Sequence, residues 1–323
     1  THGSVNLINT DWNTSGVVIS TTRRQSNFAG SFQLTQEQSQ NGFSLKDIKL
    51  VMSQQNIIDD RNVQYQVYDS EVCWNATSFL MSVSFWGDLD NKIVYMYGNM
   101  GNVFRIPSIR EQLSYQLRTE VFQADSLVPE QKSVSEIGFR LENSSSQEPE
   151  YLFDVSLFNY GYEEKIKQIQ YSGSLIRFPV NYGRASISGL DANFSFWTPN
   201  RSLKISTAYS LYNFSDQTAF PFQPVEMVRG KITYFWKELT MEVLARKESP
   251  RNITTIDEIG ELKDNRLDDI STYDAHISYL ISIKDISVSI GLSGKNLSNM
   301  SQILEGISIY DKRIYLNFRV QWN

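Results

Sequence analysis

Residues 314–322 read Ile314-Tyr315-Leu316-Asn317-Phe318-Arg319-Val320-Gln321-Trp322, and this stretch decides the class of fold. Every second residue from Ile314 to Trp322 is apolar, and polar residues stand between them. Because successive side chains of a β-strand point to opposite faces, one face of this strand is apolar and the other is polar. The stretch therefore predicts a strand that separates an apolar environment from a polar one.

The same two-residue period recurs along most of the chain. The clearest further examples are residues 153–157, 203–211, 232–236, 239–243, 277–283 and 286–292. No helical period, heptad run or low-complexity linker interrupts them. The pattern predicts an all-β fold of about 14 to 16 antiparallel strands. We expect a single domain, residues 1–323.

Short turns alternate with long connections between these predicted strands. Hairpins close around Lys237-Glu238 and Lys284-Asp285. The long connections run from Arg105 to Lys132, Ser215 to Glu226, Lys247 to Thr272 and Lys295 to Lys312. Alternation alone also fits a soluble β-sandwich, which buries its apolar face between two sheets. The unequal connections favour an antiparallel transmembrane β-barrel, which has short turns at one rim and long loops at the other.

Three Phe-Trp pairs close alternating runs just before short polar turns. They are Phe85-Trp86, Phe196-Trp197 and Phe235-Trp236. Aromatic side chains at strand ends are typical of a membrane–water boundary, where the rings sit at headgroup level. We therefore predict that the three pairs mark one rim of the barrel, the periplasmic one.

Composition excludes several classes of function. The net charge is −6, with 30 Lys and Arg against 36 Asp and Glu, so the chain has no basic surface for nucleic acid. One cysteine allows no internal disulfide, and two histidines give little material for a metal site or a histidine-based triad. No stretch approaches the roughly 18 apolar residues of a transmembrane helix. We expect no cofactor, no bound metal and no enzymatic activity.

Asp274, His276 and Ser278 invite comparison with a catalytic triad. Residues two apart on one strand face line a surface, however, and do not form the nucleophile–base–orienter geometry. We expect these three side chains to line the lumen.

Four short motifs follow one another in a fixed order. They are Gly101-x-x-Phe104-Arg105-x-Pro107-Ser108, then Leu127-x-Pro129-Glu130 with Glu136-x-Gly138, then Asn181-x-Gly183-x-Ala185-x-x-x-Gly189, and finally Lys295-Asn296-Leu297. In this order, at the long-loop ends of the predicted strands, they resemble the barrels of TonB-dependent outer-membrane receptors. The resemblance covers residues 76–323 through its motifs and the first 75 residues through strand pattern alone.

The resemblance implies a larger protein than this sequence shows. Family members have a barrel of about 22 strands that encloses a plug, and an N-terminal segment that contacts TonB. Neither is seen here, so we expect the chain to be the C-terminal part of a receptor in the bacterial outer membrane. The implied partners are outer-membrane lipids and, through such a plug, TonB; lipoproteins or other outer-membrane subunits are further candidates.

The implied function is uptake of a scarce ligand, such as a siderophore, cobalamin, haem or a glycan. One alternative is a plugless, reduced barrel that serves as a structural subunit of an outer-membrane assembly. A less favoured alternative is a soluble all-β binding module.

For most motif residues we expect structural roles. The set comprises Phe104, Arg105, Pro107, Pro129, Glu130, Glu136, Gly138, Asn181, Gly183, Gly189, Asn296 and Leu297. The two prolines end strand pairing, and Gly183 and Gly189 permit a bulge or a close backbone approach. Arg105 either pairs with a carboxylate in the loop or lumen or contacts an anionic ligand. The candidates for ligand contact are Arg105, Tyr115, Phe122, Phe220 and Phe222.

Overall fold

The computed structural model of the chain describes most of its residues. They are residues 2–14, 17–35, 42–63, 70–89, 92–108, 111, 127–143, 150–172, 177–257, 261–283, 286–304, 307–309 and 311–322. Among these residues, no helix is long and apolar enough to cross a bilayer.

Twenty strands and a 3-10 turn at Gln217–Ala219 make up the described structure. The strands are β1 (His2–Thr14), β2 (Val17–Thr35), β3 (Gly42–Val63), β4 (Ser70–Leu89), β5 (Lys92–Arg105), β6 (Glu130–Asn143), β7 (Glu150–Glu163), β8 (Ile166–Tyr171), β9 (Arg177–Asn181), β10 (Ala185–Trp197), β11 (Leu203–Phe214), β12 (Glu226–Trp236), β13 (Leu239–Glu248), β14 (Arg251–Ile256), β15 (Leu262–Leu267), β16 (Ile270–Ile283), β17 (Ile286–Lys295), β18 (Gln302–Leu304), β19 (Ile307–Ile309) and β20 (Arg313–Trp322).

One antiparallel sheet of 14 strands dominates the fold. Its order is β1-β2-β3-β4-β5-β6-β7-β10-β11-β12-β13-β16-β17-β20. Each strand of this sheet therefore pairs with the strands of the sheet that precede and follow it in the chain. No pairing joins β1 to β20 among the described residues. The predicted all-β class is confirmed. The main sheet has 14 strands, in agreement with the predicted 14 to 16, and six further short strands lie outside it.

From β4 onward the connections also separate by length as predicted. The turns after β4, β10, β12 and β16 lie at one end of the sheet, which we call the short-turn end. The connections after β5, β7, β11, β13 and β17 lie at the opposite end, the long-loop end. All three Phe-Trp pairs lie at the short-turn end.

The rings of each Phe-Trp pair do not share an environment. Because adjacent residues of a strand point to opposite faces, only one ring of each pair lies on the outer face. Trp236 is outward and strongly exposed, whereas Phe235 lies on the other face and stacks on Trp197, with ring centroids 5.8 Å apart. The aromatic rim is therefore divided between the two sides of the sheet.

The outer face carries large, exposed apolar side chains on most strands whose side chains the structure describes. Leu316 is 78% exposed and Phe318 is 67% exposed, and large apolar side chains of β2, β12, β13 and β17 are also exposed on this face. A soluble sandwich would bury such a face against a second sheet. The arrangement instead suits a sheet whose outer face contacts lipid.

The opposite face, which we call the inner face, is partly covered at the long-loop end. Phe158 of β7 and Ala185 and Ile187 of β10 are buried there. Ala219 and Phe220, from the connection between β11 and β12, pack against them. That connection therefore folds inward over the wall of the barrel.

A second sheet at the long-loop end was not predicted from sequence. Its order is β15-β14-β8-β9, and the parallel pairing of β14 with β8 brings Thr255 opposite Gln170 and Ile256 opposite Tyr171. Ile256 packs with Ile169 and Phe178 in a small buried core. The sheet thus joins the connection after β7 to the connection after β13.

Gly189 occupies a point of close approach between β10 and β11. A Cβ at this position would collide with the carbonyl oxygen of Leu211 and would lie 2.7 Å from the ring of Phe158. Gly230 of β12 offers a contrast, because a Cβ there would meet no atom within 4 Å.

We expect Gly189→Ala to lower the free energy of unfolding by about 1–3 kcal/mol, because the clash is with backbone and cannot relax easily. The matched control Gly230→Ala should stay within about 0.5 kcal/mol of the parent protein. Urea unfolding in detergent, followed by the heat-dependent shift in gel mobility, measures both. Equal stability of the two variants would contradict the close approach.

The assignment of the two faces gives a second test. Leu316→Arg places a charge on the outer face and should cost about 2–4 kcal/mol near the bilayer midplane. Asn317→Arg changes the next residue, which lies on the inner face. The variant loses the 2.7 Å hydrogen bond to Ser293 Oγ, but its new charge faces water. It should cost about 1 kcal/mol. Folding equilibria in lipid vesicles compare them, and a larger loss for Asn317→Arg would reverse the assignment.

Candidate functional site

Residues of the first motif contact nearby residues where the chain leaves β5. The backbone N–H of Phe104 donates to Ser78 Oγ at 3.1 Å, and Arg105 forms an ion pair with Glu111. Ser108 N and Oγ both donate to Glu111 Oε2, at 2.9 and 3.0 Å, and Glu111 N donates back to Ser108 Oγ at 3.2 Å. This reciprocal bonding is that of a helix capping box. The structure therefore places Arg105 against a loop carboxylate.

Pro107, which follows β5, is hydrogen-bonded to β2, three strands away in the sheet. Its carbonyl oxygen accepts a hydrogen bond of 2.9 Å from Arg23 Nη2. Arg23 also makes two bonds to the Asp59 carboxylate, at 2.6 and 2.7 Å, and the two side chains are 7% and 0% exposed. Removing one partner of such a buried pair strands the other charge and is strongly destabilising. No sequence motif points to this pair, because β2 and β3 carry none of the four motifs.

The second motif anchors the connection after β7. Glu130, which follows Pro129, is buried, and its Oε2 accepts from Lys165 Nζ at 2.9 Å and from Ile166 N at 2.8 Å. A carboxylate held by a cation and a backbone N–H is fully satisfied despite its burial. Glu130 thereby fixes the point where β8 begins.

Asn181 of the third motif bridges two connections. Its Oδ1 accepts from Val128 N at 2.9 Å, and its Nδ2 donates to Val128 O at 3.1 Å and to Glu164 O at 2.9 Å. Gly183 follows with a φ of 85°, a conformation that glycine adopts without strain, and its carbonyl accepts from Lys165 N at 2.9 Å. One amide side chain thus replaces a piece of strand pairing between the connections after β5 and after β7.

The fourth motif turns the chain after β17. Asn296 has a φ of 48°, and its N–H donates to Asp274 Oδ1 at 2.8 Å. Its side chain accepts from Met300 N at 3.2 Å and donates to Met300 O at 3.0 Å. Leu297 N donates to Tyr273 O at 2.8 Å. These contacts dock the connection onto β16.

Phe220 and Phe222 have different surroundings from those expected of free ligand contacts. Phe220 is buried against Tyr162 and Phe214, with ring centroids 5.5 and 5.2 Å apart. Phe222 has a φ of 65°, and the Arg177 guanidinium lies 4.0 Å from its ring centroid. Two further candidates lie outside the described residues: Tyr115 and Phe122.

A buried lysine lies where the small sheet meets the inward-folded connection. Lys167 of β8 approaches Thr218 O and Thr254 Oγ1, each at 3.4 Å, and its Nζ lies 4.3 Å from the ring centroid of Tyr182. Burial lowers the pKa of Lys167, and the nearby Asp264 carboxylate acts against that shift. The lysine holds three separate connections together at the long-loop end.

Beneath these connections the inner face carries a polar and aromatic group that we call the lumenal wall: Tyr97, Lys132, Glu136 and Tyr160. Tyr97 Oη donates to Glu136 Oε1 at 3.0 Å, and Tyr160 Oη donates to Glu136 Oε2 at 3.2 Å. Lys132 Nζ lies 3.5 Å from the ring centroid of Tyr160. The Tyr97 ring lies over Gly138, where a Cβ would collide with it. Sequence motifs identified Glu136 and Gly138, but the tyrosines and the lysine become neighbours only through strand pairing.

The lumenal wall combines several kinds of polar and aromatic group. It offers hydroxyl groups, a carboxylate, a cation and aromatic faces to the lumen. On the strand with Asp274 and Ser278, His276 Nδ1 instead meets Ser293 Oγ of β17 at 2.7 Å. Within the described part of the chain, no group of three or more His, Cys, Asp or Glu side chains is placed to hold a metal ion.

Comparison with known proteins gives one family and several structures of the same fold. The family described as TonB dependent receptor-like, beta-barrel, matches residues 88–297, more than half of the chain. The copper transporter OprC matches over 97% of this chain and 55% of its own, at 12% identity and a TM-score of 0.62. The ferric citrate transporter FecA, unliganded, matches over 98% and 52%, at 15% identity and a TM-score of 0.58.

The ferric yersiniabactin uptake receptor FyuA from Yersinia pestis matches over 97% of this chain and 47% of its own, at 13% identity and a TM-score of 0.58. The chain thus spans about half the length of these structures, and at such identities they show the fold alone. No curated protein sequence matches the chain significantly.

Glu130, Lys167 and Asn181 hold the connections at the long-loop end together, and we call this group the bonded rim. Asn181 provides a test of it. Asn181→Ala leaves the N–H and C=O of Val128 and the C=O of Glu164 without this partner, and should cost about 1–3 kcal/mol. Limited proteolysis should become faster in the connections after β5 and β7. Asn213→Ala changes an exposed side chain of β11 that makes no such bridge and serves as the control. Equal proteolysis of both variants would show that the bridge does not hold the loops.

Proposed function

The chain belongs to the family of TonB dependent receptor-like β-barrels, and on this basis we propose that it forms the wall and extracellular mouth of a transporter in the bacterial outer membrane. The transported ligand is scarce and too large for passive diffusion through porins. The long-loop end faces the outside of the cell, and the short-turn end faces the periplasm. Its partners are the lipids of the outer membrane and the energy-coupling protein TonB.

The lumenal wall carries this proposal. A barrel that served only as a scaffold would need no tyrosine hydroxyls gathered on one carboxylate, nor a lysine over an aromatic ring, in its interior. Tyr160 contributes a hydroxyl group and a ring, which together suit a ligand with polar edges and a flat or apolar body.

The bonded rim supports the same proposal. Glu130, Asn181 and Lys167 hold several connections in fixed positions around the opening, so that part of the mouth is formed before a ligand arrives. Pre-formed sites lose less conformational entropy on binding and therefore bind more tightly. Siderophores, cobalamin, haem and glycans remain the candidate ligands.

Energy coupling separates a transporter from an open pore. The full-length protein, expressed in a receptor-deficient Gram-negative host, should support uptake of at least one of ferric citrate, a ferric catecholate, haem or cobalamin. Uptake should stop when TonB is deleted or the proton gradient is collapsed. Uptake that continued without TonB, or steady ion conductance in a planar bilayer, would instead favour a plugless barrel.

The lumenal wall predicts a specific loss of affinity. Tyr160→Ala should weaken binding of the transported ligand about fivefold or more, the equivalent of roughly 1 kcal/mol for a lost aromatic contact. Leu157→Ala, on the outer face of the same strand, should leave affinity unchanged. Radiolabelled ligand binding to whole cells, normalised to folded receptor, measures both. Loss of affinity in Leu157→Ala alone would exclude the inner face.

A further inference from the structure

Two arginines face each other on the inner face near the mouth. Strand pairing places Arg229 of β12 directly opposite Arg246 of β13, with Ala208 and Thr272 on either side. Both arginines are exposed. They share the inner face with the buried Thr233, whereas Val228 and the rest of the exposed apolar side chains of β12 point outward. Both arginine side chains therefore face the lumen.

Neighbouring carboxylates are already occupied. Glu248 is buried, and its Oε1 accepts from both Nε and Nη2 of Arg246, with the Nε bond at 2.8 Å. Its Oε2 lies 3.6 Å from Arg251 Nη1. Glu242 pairs with Lys231 at 2.7 Å.

On β10, Asp191 accepts a hydrogen bond from Tyr212 Oη at 3.3 Å. In the described part of the chain, no carboxylate lies within ion-pair distance of Arg229, whose guanidinium contacts Met227 Sδ at 3.2 Å.

Such a pairing is unfavourable in the ligand-free protein. Like charges directly opposite each other on one sheet face destabilise strand pairing, and Glu248 is already shared by Arg246 and Arg251. An oxyanion beside the two guanidinium groups would make the arrangement favourable. Arg229 can donate two parallel bonds to a carboxylate or phosphate. Arg246, whose Nε and Nη2 are bonded to Glu248, can donate to the anion through Nη1. Ala208, beside Arg229, has a small side chain and leaves room in front of it.

We infer that Arg229 and Arg246 bind an anionic group, a carboxylate or phosphate, of the transported ligand. The site rests on the proposed function and specifies its substrate class: the ligand carries an oxyanion. Arg229 is the fourth residue of β12 from the long-loop end, so it lies about 10 Å below the start of the strand at a rise of about 3.3 Å per residue. An anion from outside reaches this depth without crossing the barrel.

Arginine-specific labelling of the purified full-length protein tests the inference. Phenylglyoxal should modify Arg229 and Arg246 in detergent, as read by peptide mass spectrometry. Citrate or pyrophosphate at about ten times its dissociation constant should slow that modification about tenfold. Citrate acting alone would assign a carboxylate, and pyrophosphate acting alone would assign a phosphate. Arg201, exposed and paired with Glu150 at 2.7 Å, should show no protection and is the control.

Thermal unfolding supplies an independent measurement. Arg229→Gln should raise the midpoint of unfolding in anion-free buffer, because it removes the like-charge contact, and should abolish the stabilisation by citrate or pyrophosphate. Arg201→Gln should leave that stabilisation intact. Persistence of the anion effect in Arg229→Gln, or no anion effect in the parent protein, would overturn the inference.

A carboxylate elsewhere in the full-length protein is the competing occupant. It would protect both arginines with no anion added, and that outcome would also overturn the inference. Failure here leaves TonB-dependent uptake untouched. Conversely, if no TonB-dependent uptake is found but the anion still binds, the proposed function is refuted and the anion site stands.

Discussion

A strand that crosses hydrocarbon can satisfy its backbone N–H and C=O groups only through its two neighbours, since no water is available there. This constraint explains the uninterrupted ladder of 14 antiparallel strands. It also leaves the side chains as the only means of distinguishing the two faces. The outer face is therefore predominantly apolar, and the inner face is free to carry hydroxyl groups and charges. Every functional feature described above depends on that division.

At the long-loop end the constraint is lifted, because water and other chain segments can satisfy the backbone. Side chains there form hydrogen bonds with backbone groups that strand pairing would satisfy inside the sheet. Asn181 replaces strand pairing with three hydrogen bonds, and Glu130 satisfies the first N–H of β8. The family motifs lie at these transitions, which is why they read as short, separated signatures rather than as one continuous block.

Period-two alternation was sufficient to predict the fold class, the strand number and the position of the Phe-Trp pairs, since these follow from local sequence. Residues that meet only through pairing of distant segments could not be predicted. Arg23 and Asp59 lie in strands without a motif, and the parallel contact of β8 with β14 joins residues 85 positions apart, such as Gln170 and Thr255. Phe220 looked like a loop aromatic in the sequence, and its burial depends on which way the connection folds. The unequal faces of each Phe-Trp pair, by contrast, follow from strand geometry alone.

The shared sheet of β8 and β14 has a consequence for how this surface changes over evolutionary time. Surface loops vary more among related proteins than the strands that they connect, and an independent loop tolerates substitution, insertion or deletion at little structural cost. Two loops that contribute strands to one hydrogen-bonded sheet, with Ile169 and Ile256 in a common core, lack that freedom. A change in one must be matched by a change in the other, so variation should concentrate in the segments on either side of this sheet.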